Sequence, residues 1–164
     1  MRVSINWGTH LPVLIKLLSV TNGPVLELGM GLYSTPFLHW ACYDKKRPLV
    51  SYDSDEKYFH MNEEYRSDFH EVSLVSDWDK IIIEKPWDVV LVDCHPDTKR
   101  KELAMRLKNH AKFIVLHDSY WKDDYAYHYK EIYPSFKYKF DHTALRRTPT
   151  TVISNFVNVS EVMK

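Results

Sequence analysis

Val25-Leu26-Glu27-Leu28-Gly29-Met30-Gly31-Leu32-Tyr33-Ser34-Thr35 is the stretch that decides the fold. Val25–Leu28 reads as a short strand, apolar except for Glu27. Gly29-Met30-Gly31 turns the chain, and Ser34 is a natural N-cap for a following helix. The chain has four glycines, Gly8, Gly23, Gly29 and Gly31, and half of them stand in this turn, where backbone must bend sharply or approach a ligand closely. Ser34 occupies the place where a dinucleotide-binding fingerprint has its third glycine, which counts against a nicotinamide-dependent oxidoreductase. Glu27 counts against it too, because a carboxylate two residues before the first glycine repels a pyrophosphate and attracts a cationic ligand.

Outward from this turn, apolar runs bounded by turn residues alternate with segments of helical period, the pattern of a parallel sheet covered by helices. Strands are expected over 24–28, 48–52, 70–75, 87–92 and 112–116, and helices over 11–20, 34–42, 55–66 and 99–109. Beyond the fifth strand, 122–133 is expected to form one helix. Segments 136–142 and 150–157 then read as an antiparallel hairpin, joined by a loop containing Arg146, Arg147 and Pro149. The expected fold class is α/β, a Rossmann-like, doubly wound, mostly parallel sheet with an antiparallel C-terminal hairpin. It occupies one domain over 1–164, with 1–22 as an N-terminal helix or lid and 23–164 as the core.

The residues that follow the strands are chemically loaded. The second strand runs out through Tyr52 to Asp53 and Ser54, placing an acid at the carboxyl edge of the sheet. There it can accept both hydroxyls of a ribose, or simply cap the helix that starts near Asp55. The third is followed by Ser76-Asp77-Trp78-Asp79, an acceptor for an exocyclic amine beside an aromatic ring that could face a base or lie in the core. Taken in order at three successive strand ends, these features resemble the class I S-adenosylmethionine (SAM) methyltransferases over roughly residues 20–120. Glu27-x-Gly29-x-Gly31 is similar to that family's first motif, Asp53 to its ribose-binding acid and Asp77-Trp78 to its adenine contact. The resemblance implies a seven-stranded sheet with a reversed last hairpin. It also implies SAM as cofactor, held by His10, Glu27, Gly29, Met30, Gly31, Ser34, Thr35, Asp53, Ser54, Asp77, Trp78 and Asp93, and methyl transfer to a hydroxyl- or nitrogen-bearing acceptor.

The fourth strand ends in Asp93-Cys94-His95-Pro96 and the fifth in His117-Asp118-Ser119. This looks like the small-molecule O-methyltransferase-like branch, whose fourth strand often ends in Asp-x-x-His and whose fifth often ends in His-Asp. Here Cys94-His95 shortens the first spacing, and Asn109-His110-Ala111 stands where that branch has Gly-Gly. Methyl transfer is an in-line displacement, so the protein must align the reactants and supply a base or metal to a hydroxyl acceptor. Asp93 is the expected base or orienting group, and His95 and His117 are expected to move protons. Asp93, His117 and Asp118 form a candidate set for Mg²⁺ or a similar ion, although imidazole suits Mg²⁺ less well than oxygen does. His10, in Gly8-Thr9-His10-Leu11-Pro12, is expected either to fold over the cofactor as a lid or to cap the first helix. Tyr120, Trp121, Tyr125, Tyr127 and Tyr129 are expected to wall a pocket or a dimer contact, or to pack ordinarily.

A chain of 164 residues with 45% apolar content is long enough for one α/β core. No run is apolar enough to span a membrane. Cys42 and Cys94 have neither metal nor disulfide spacing, so a reducing, cytoplasmic setting is expected. Net charge is zero, yet residues 1–98 carry 9 basic against 15 acidic side chains and residues 99–147 carry 12 against 6. The basic half could dock an acidic partner, or Lys99, Arg100, Lys101, Arg106 and Lys108 could be one solvated helix surface. The expected partner is a small-molecule methyl acceptor. A nucleic acid or protein acceptor docking on the basic region is the alternative, with a homodimer as a further expectation. The competing reading from another class is a SAM-binding module without activity that acts through a partner.

Overall fold

The computed structural model describes residues 4–120, 122, 124–143 and 148–164. Its centre is a seven-stranded sheet of order β3-β2-β1-β4-β5-β7-β6, made by β1 (Val25–Leu28), β2 (Leu49–Asp53), β3 (His70–Leu74), β4 (Trp87–Val92), β5 (Ala111–Leu116), β6 (Tyr138–His142) and β7 (Thr150–Ser154). β1 to β5 are parallel, and β7 runs antiparallel to both β5 and β6. The chain winds outward from β1 to β3 and then returns to the other side of β1. The crevice at the carboxyl ends of β1 and β4 is therefore the topological switch point, where open α/β sheets bind ligands.

Strand composition explains the layering. Every residue of β1 and β4 is buried, as expected for strands covered on both faces. Leu26, Leu28, Val90 and Val92 pack on one face with Leu103 and Ile114. Val25, Val89 and Leu91 pack on the other with Val13, Leu17 and Leu38, from α1 (Leu11–Ser19) and α2 (Ser34–Asp44). Glu27 shares the parity of Val25, so it faces α2. The register pairs Leu28 with both Tyr52 and Val92, which brings Gly29, Asp53 and Asp93 side by side one residue later.

Several elements differ from their expected form. α2 begins at Ser34, but Tyr33 holds the N-cap position and makes no capping bond. The donor at Gly31 N is met by the Thr35 hydroxyl at 3.0 Å instead. α3 (Glu56–Asn62) closes in a 3-10 turn, and α4 covers Lys99–Arg106. The helix expected over 122–133 is broken into α5 (Asp124–Tyr127) and α6 (Tyr129–Ile132) by His128, whose φ of 54° no right-handed helix accepts. β7 stops at Ser154, where the Ser154 hydroxyl accepts from Phe156 N and Val157 N and turns the chain into a short α7 (Val159–Val162). Trp121, Arg146 and Arg147 lie outside the described residues.

Candidate functional site

A cavity of about 370 Å³ opens at the switch point, within the range of about 300–1,000 Å³ usual for small-molecule sites. Its floor is Met30, Gly31, Leu32, Tyr33 and Ser34 of the β1–α2 turn. Asp53, Asp55 and Tyr58 form one wall, and Asp93, His95, Arg100 and Asp118 the other. Trp7 and His10 of the N-terminal segment complete it. Four carboxylates against one guanidinium make it a cavity suited to a ligand carrying positive charge.

The turn is held by buried hydrogen bonds. Asp53, 4% exposed, accepts from Met30 N at 2.6 Å and from Asp55 N at 2.8 Å. Burial pushes its carboxyl above the usual value, with those backbone bonds opposing. Asp55 caps α3 by accepting from Lys57 N at 2.8 Å, so the cap weighed for Asp53 is supplied by Asp55. Gly29, with φ of +100°, is required by the sheet: a Cβ there would lie 2.5 Å from the Asp93 carbonyl. Gly29 thus serves the sharp bend, and Gly31 is the glycine of the pair that lines the cavity.

Glu27 does not line the cavity. It is fully buried beneath the floor, accepting from Thr35 Oγ1 at 3.0 Å and Ser51 Oγ at 2.6 Å. Burial pushes its carboxyl up to about 7, against the hydrogen bonds of Ser34, Ser51 and Thr35. The expectation that it touches a cationic ligand fails because Glu27 lies inside the strand and faces α2. It braces the turn from below, with Thr35.

Asp93 is the hub of the opposite wall. Arg100 Nη2 lies 2.8 Å from Oδ1, and His117 Nδ1 lies 3.0 Å from Oδ2. Burial acts to raise the Asp93 carboxyl, but His117 and then Arg100 overcome it and hold the group at about 2. Burial acts to lower His117, and Asp93 overcomes it, so the imidazole ends above its usual value. On its far side, His117 Nε2 lies 3.1 Å from Thr9 Oγ1, which also reaches Asn6 O and Thr148 Oγ1. The N-terminal segment is thereby clamped to the ends of β5 and β7. A carboxylate held this low by His117 and Arg100 is a poor proton acceptor, so these contacts favour the orienting role expected of Asp93 over the basic one.

His10 takes a position next to this hub. It is 1% exposed, packs edge-on against His117 with ring centroids 4.6 Å apart, and neither ring nitrogen has a partner among the described residues. Burial lowers its pKa to about 3, with the His117 charge adding to the effect. A neutral imidazole with two unmet nitrogens on a cavity wall is a strong sign of a ligand contact, because an unmet buried polar group costs about 1–3 kcal/mol.

Trp78, Ser54 and Asp77 do not line the cavity, and His95 meets it only at the rim. Trp78 is 3% exposed in the core, and its indole N–H donates to His95 O at 2.8 Å. Ser54 Oγ donates to the same carbonyl at 2.7 Å. Asp77 pairs with Lys80 at 3.2 Å on the surface. His95 stands at the rim with 78% of its side chain exposed, 3.6 Å from Asp97. The candidate metal set changes as well: His10, Asp93 and His117 form the cluster with ligand atoms within 4.8 Å, and Asp118 is not in it. Two imidazoles and one carboxylate already held by Arg100 do not fit Mg²⁺, which takes oxygen ligands and gains nothing beside a fixed cation. The basic helix α4 is spent internally. Lys99 pairs with Asp79 and Glu102, Lys101 with Glu131, and Arg106 with Glu84. Among the described residues, no helix is long and apolar enough to cross a membrane.

No model of a known protein family matches the sequence, and no curated protein matches it either. Solved structures do resemble it. The N-terminal domain of human METTL16 in complex with SAH superposes with TM-score 0.63 at 12% identity, over 96% of this chain and 73% of that one. The human methyltransferase 10 domain containing protein gives 0.61 at 10% identity, over 96% and 86%. A methyltransferase from Pyrococcus furiosus gives 0.56 at 15% identity, over 90% and 83%. The chain has the class I methyltransferase fold. At these identities the likeness is one of fold, and it does not single out the small-molecule O-methyltransferase-like branch.

Proposed function

We propose that this chain is a SAM-dependent methyltransferase acting on a small hydroxyl- or nitrogen-bearing acceptor. The observation that carries the reading is the cavity itself, set at the switch point over Met30-Gly31 and walled by Asp53 and Asp93. When bound, SAM supplies a methyl group made electrophilic by its sulfonium. Asp53 and Asp55 would take the ribose hydroxyls, and Gly31 lets the backbone come close. With Asp93 already paired to Arg100, the remaining carboxylates Asp53, Asp55 and Asp118 leave the cavity net negative, which favours a cation over a pyrophosphate. His10 would accept a hydrogen bond from the acceptor's O–H or N–H and orient its lone pair. The imidazole serves here as a neutral acceptor, because the strongly lowered pKa keeps it uncharged. Trp7 and the Thr9–His117 clamp keep the N-terminal segment over the site, which shields it from water. The small-acceptor reading gains from the pairing of Lys99, Lys101 and Arg106 with acidic neighbours, which lowers the free positive charge that α4 could offer to a nucleic acid.

The test is an acceptor screen with methyl-labelled SAM, run with and without a chelator. Label transferred to small phenols, alcohols or amines, insensitive to chelation, is the expected result. Label found only in RNA or protein would move the acceptor class, and binding of SAM with no transfer to any class would favour the non-catalytic module.

A further inference from the structure

A second buried network starts at Glu27 and leads away from the cavity. Glu27 Oε2 lies 2.6 Å from Ser51 Oγ, which lies 2.9 Å from His70 Nε2, and His70 Nδ1 lies 3.1 Å from His39 Nδ1. Glu27, Ser51 and His70 are fully buried, while His39 is 8% exposed beside Trp40, which is 62% exposed. The row runs from the floor of the site to the outside of the sheet. Its direction is constrained at each link. Two Nδ1 atoms in contact require that one carry hydrogen and the other not, so His39 and His70 cannot choose their tautomers independently.

Two arrangements satisfy every link. With Glu27 ionised, Ser51 donates to it, His70 Nε2–H donates to Ser51, and His39 Nδ1–H donates to His70. With Glu27 protonated, its O–H donates to Ser51, Ser51 donates to His70 Nε2, and His70 Nδ1–H donates to His39. Adding one proton at His39 Nε2 and passing one proton along each link converts the first into the second with all atoms accounted for. We infer that Glu27 is a charge-sensing residue that discriminates the sulfonium-bearing donor from its uncharged thioether product, exchanging its proton with solvent through Ser51, His70 and His39.

This rests on the SAM reading above. Ser34, a hydrogen-bond partner of Glu27, lines the cavity floor, so one hydroxyl separates the carboxyl from the ligand space. A cation there favours the ionised acid, and its loss on methyl transfer favours the protonated one. The other titratable groups around Glu27 are Asp53 on β2 and Cys42 on α2, the latter facing Arg47. His70 and His39 face each other, the Tyr65 ring lies against His39, and the Tyr65 backbone carbonyl faces both imidazoles as a further acceptor. Burial brings Glu27 to about 7, in the range where such a field can switch it, and keeps His70 neutral, at about 4.

The experiment is ¹⁵N NMR of the full chain labelled at histidine, ligand-free from pH 5.5 to 8.5, and with SAM or SAH at pH 7. A calorimetric count of protons exchanged on binding accompanies it, with Glu27→Gln as comparison. The expected result is a paired tautomer change of His70 and His39 with pH, displaced toward the Nε2–H form of His70 by SAM and not by SAH. SAM binding should release more protons in wild type than in Glu27→Gln. The preference for SAM over SAH at pH 8 should fall by about tenfold in the variant for each pK unit of coupling. His39→Phe, at the outer end, should abolish the paired change while leaving the chain folded. A single His70 tautomer across the pH series overturns the relay. A tautomer change with pH but equal proton counts for SAM and SAH overturns the charge sensing. Failure of both ligands to bind removes the cofactor reading and the coupling together, and the ligand-free titration still decides the relay.

Discussion

Asp93 and Arg100 form a buried ion pair between the end of β4 and the first turn of α4, with Oδ1 and Nη2 2.8 Å apart and the arginine side chain 8% exposed. Arg100 also donates to Cys94 O at 2.8 Å and to Asp93 O at 3.1 Å, and lies over the Tyr127 ring at 4.5 Å. It thus fixes both the charge and the backbone of this wall of the cavity. Arg100→Ala leaves a partly buried carboxylate with His117 as its remaining partner, and unfolding in urea should show a loss of about 3 kcal/mol. A loss below about 1 kcal/mol would mean that the pair does not organise this wall.

Glu27 and Asp93 give stability opposite pH dependences. The folded pKa of Glu27 is raised to about 7, so the folded state binds its proton more tightly than the unfolded chain does. Its contribution falls as pH rises from 4.5 to 7. The shift corresponds to roughly 3 kcal/mol. Asp93 is depressed to about 2, so its contribution is present above pH 3.8 and is lost as pH falls through about 2. Urea unfolding between pH 4 and 8 should therefore show wild type weakening with pH relative to Glu27→Gln, whose side chain mimics the protonated acid. Parallel pH profiles for the two proteins would contradict the placement of Glu27.

The two glycines of the turn should respond differently. Gly29→Ala puts a Cβ 2.5 Å from the Asp93 backbone at a φ of +100° and should cost at least about 3 kcal/mol, reflecting strain and displacement of β4. Gly31→Ala meets only the Ser34 hydroxyl, at 3.1 Å, and should fold with a loss near 1 kcal/mol while weakening ligand binding. Thermal unfolding of both variants separates these outcomes.

His10→Phe tests the unmet imidazole. The phenyl ring can keep the edge-on contact with His117 and carries no polar atom to bury, so the variant should be as stable as wild type or more stable by about 1 kcal/mol. Turnover of the acceptor found by the screen should drop roughly 10²-fold. A variant with full turnover would remove His10 from the acceptor's site.

How much of this could be read from the chain depends on distance along it. The seven strands and the turn at Gly29 are local patterns, and Asp53 and Asp93 are adjacent because each directly follows a strand paired in register with β1. The orientation of Glu27 is equally local, since strand parity sets it against α2, whereas the charge of an acid two residues before the glycine turn by itself points to a ligand. Arg100 carried no signal beyond belonging to a basic run, because its partners lie across a loop. Thr9 and His70 were silent for the same reason: their partners His117 and Ser51 lie 108 and 19 residues away. Trp78 follows a strand, as an adenine contact would, yet its indole is committed to the core by the carbonyl of His95.

Calorimetric titration with SAM, with NAD as the comparison ligand, tests the central claim most directly. Saturable binding of SAM but not NAD is predicted, weakened at least tenfold in Asp53→Ala, which frees Met30 N and Asp55 N and loosens the floor of the cavity. A folded protein that binds NAD, or that fails to bind SAM, would contradict it.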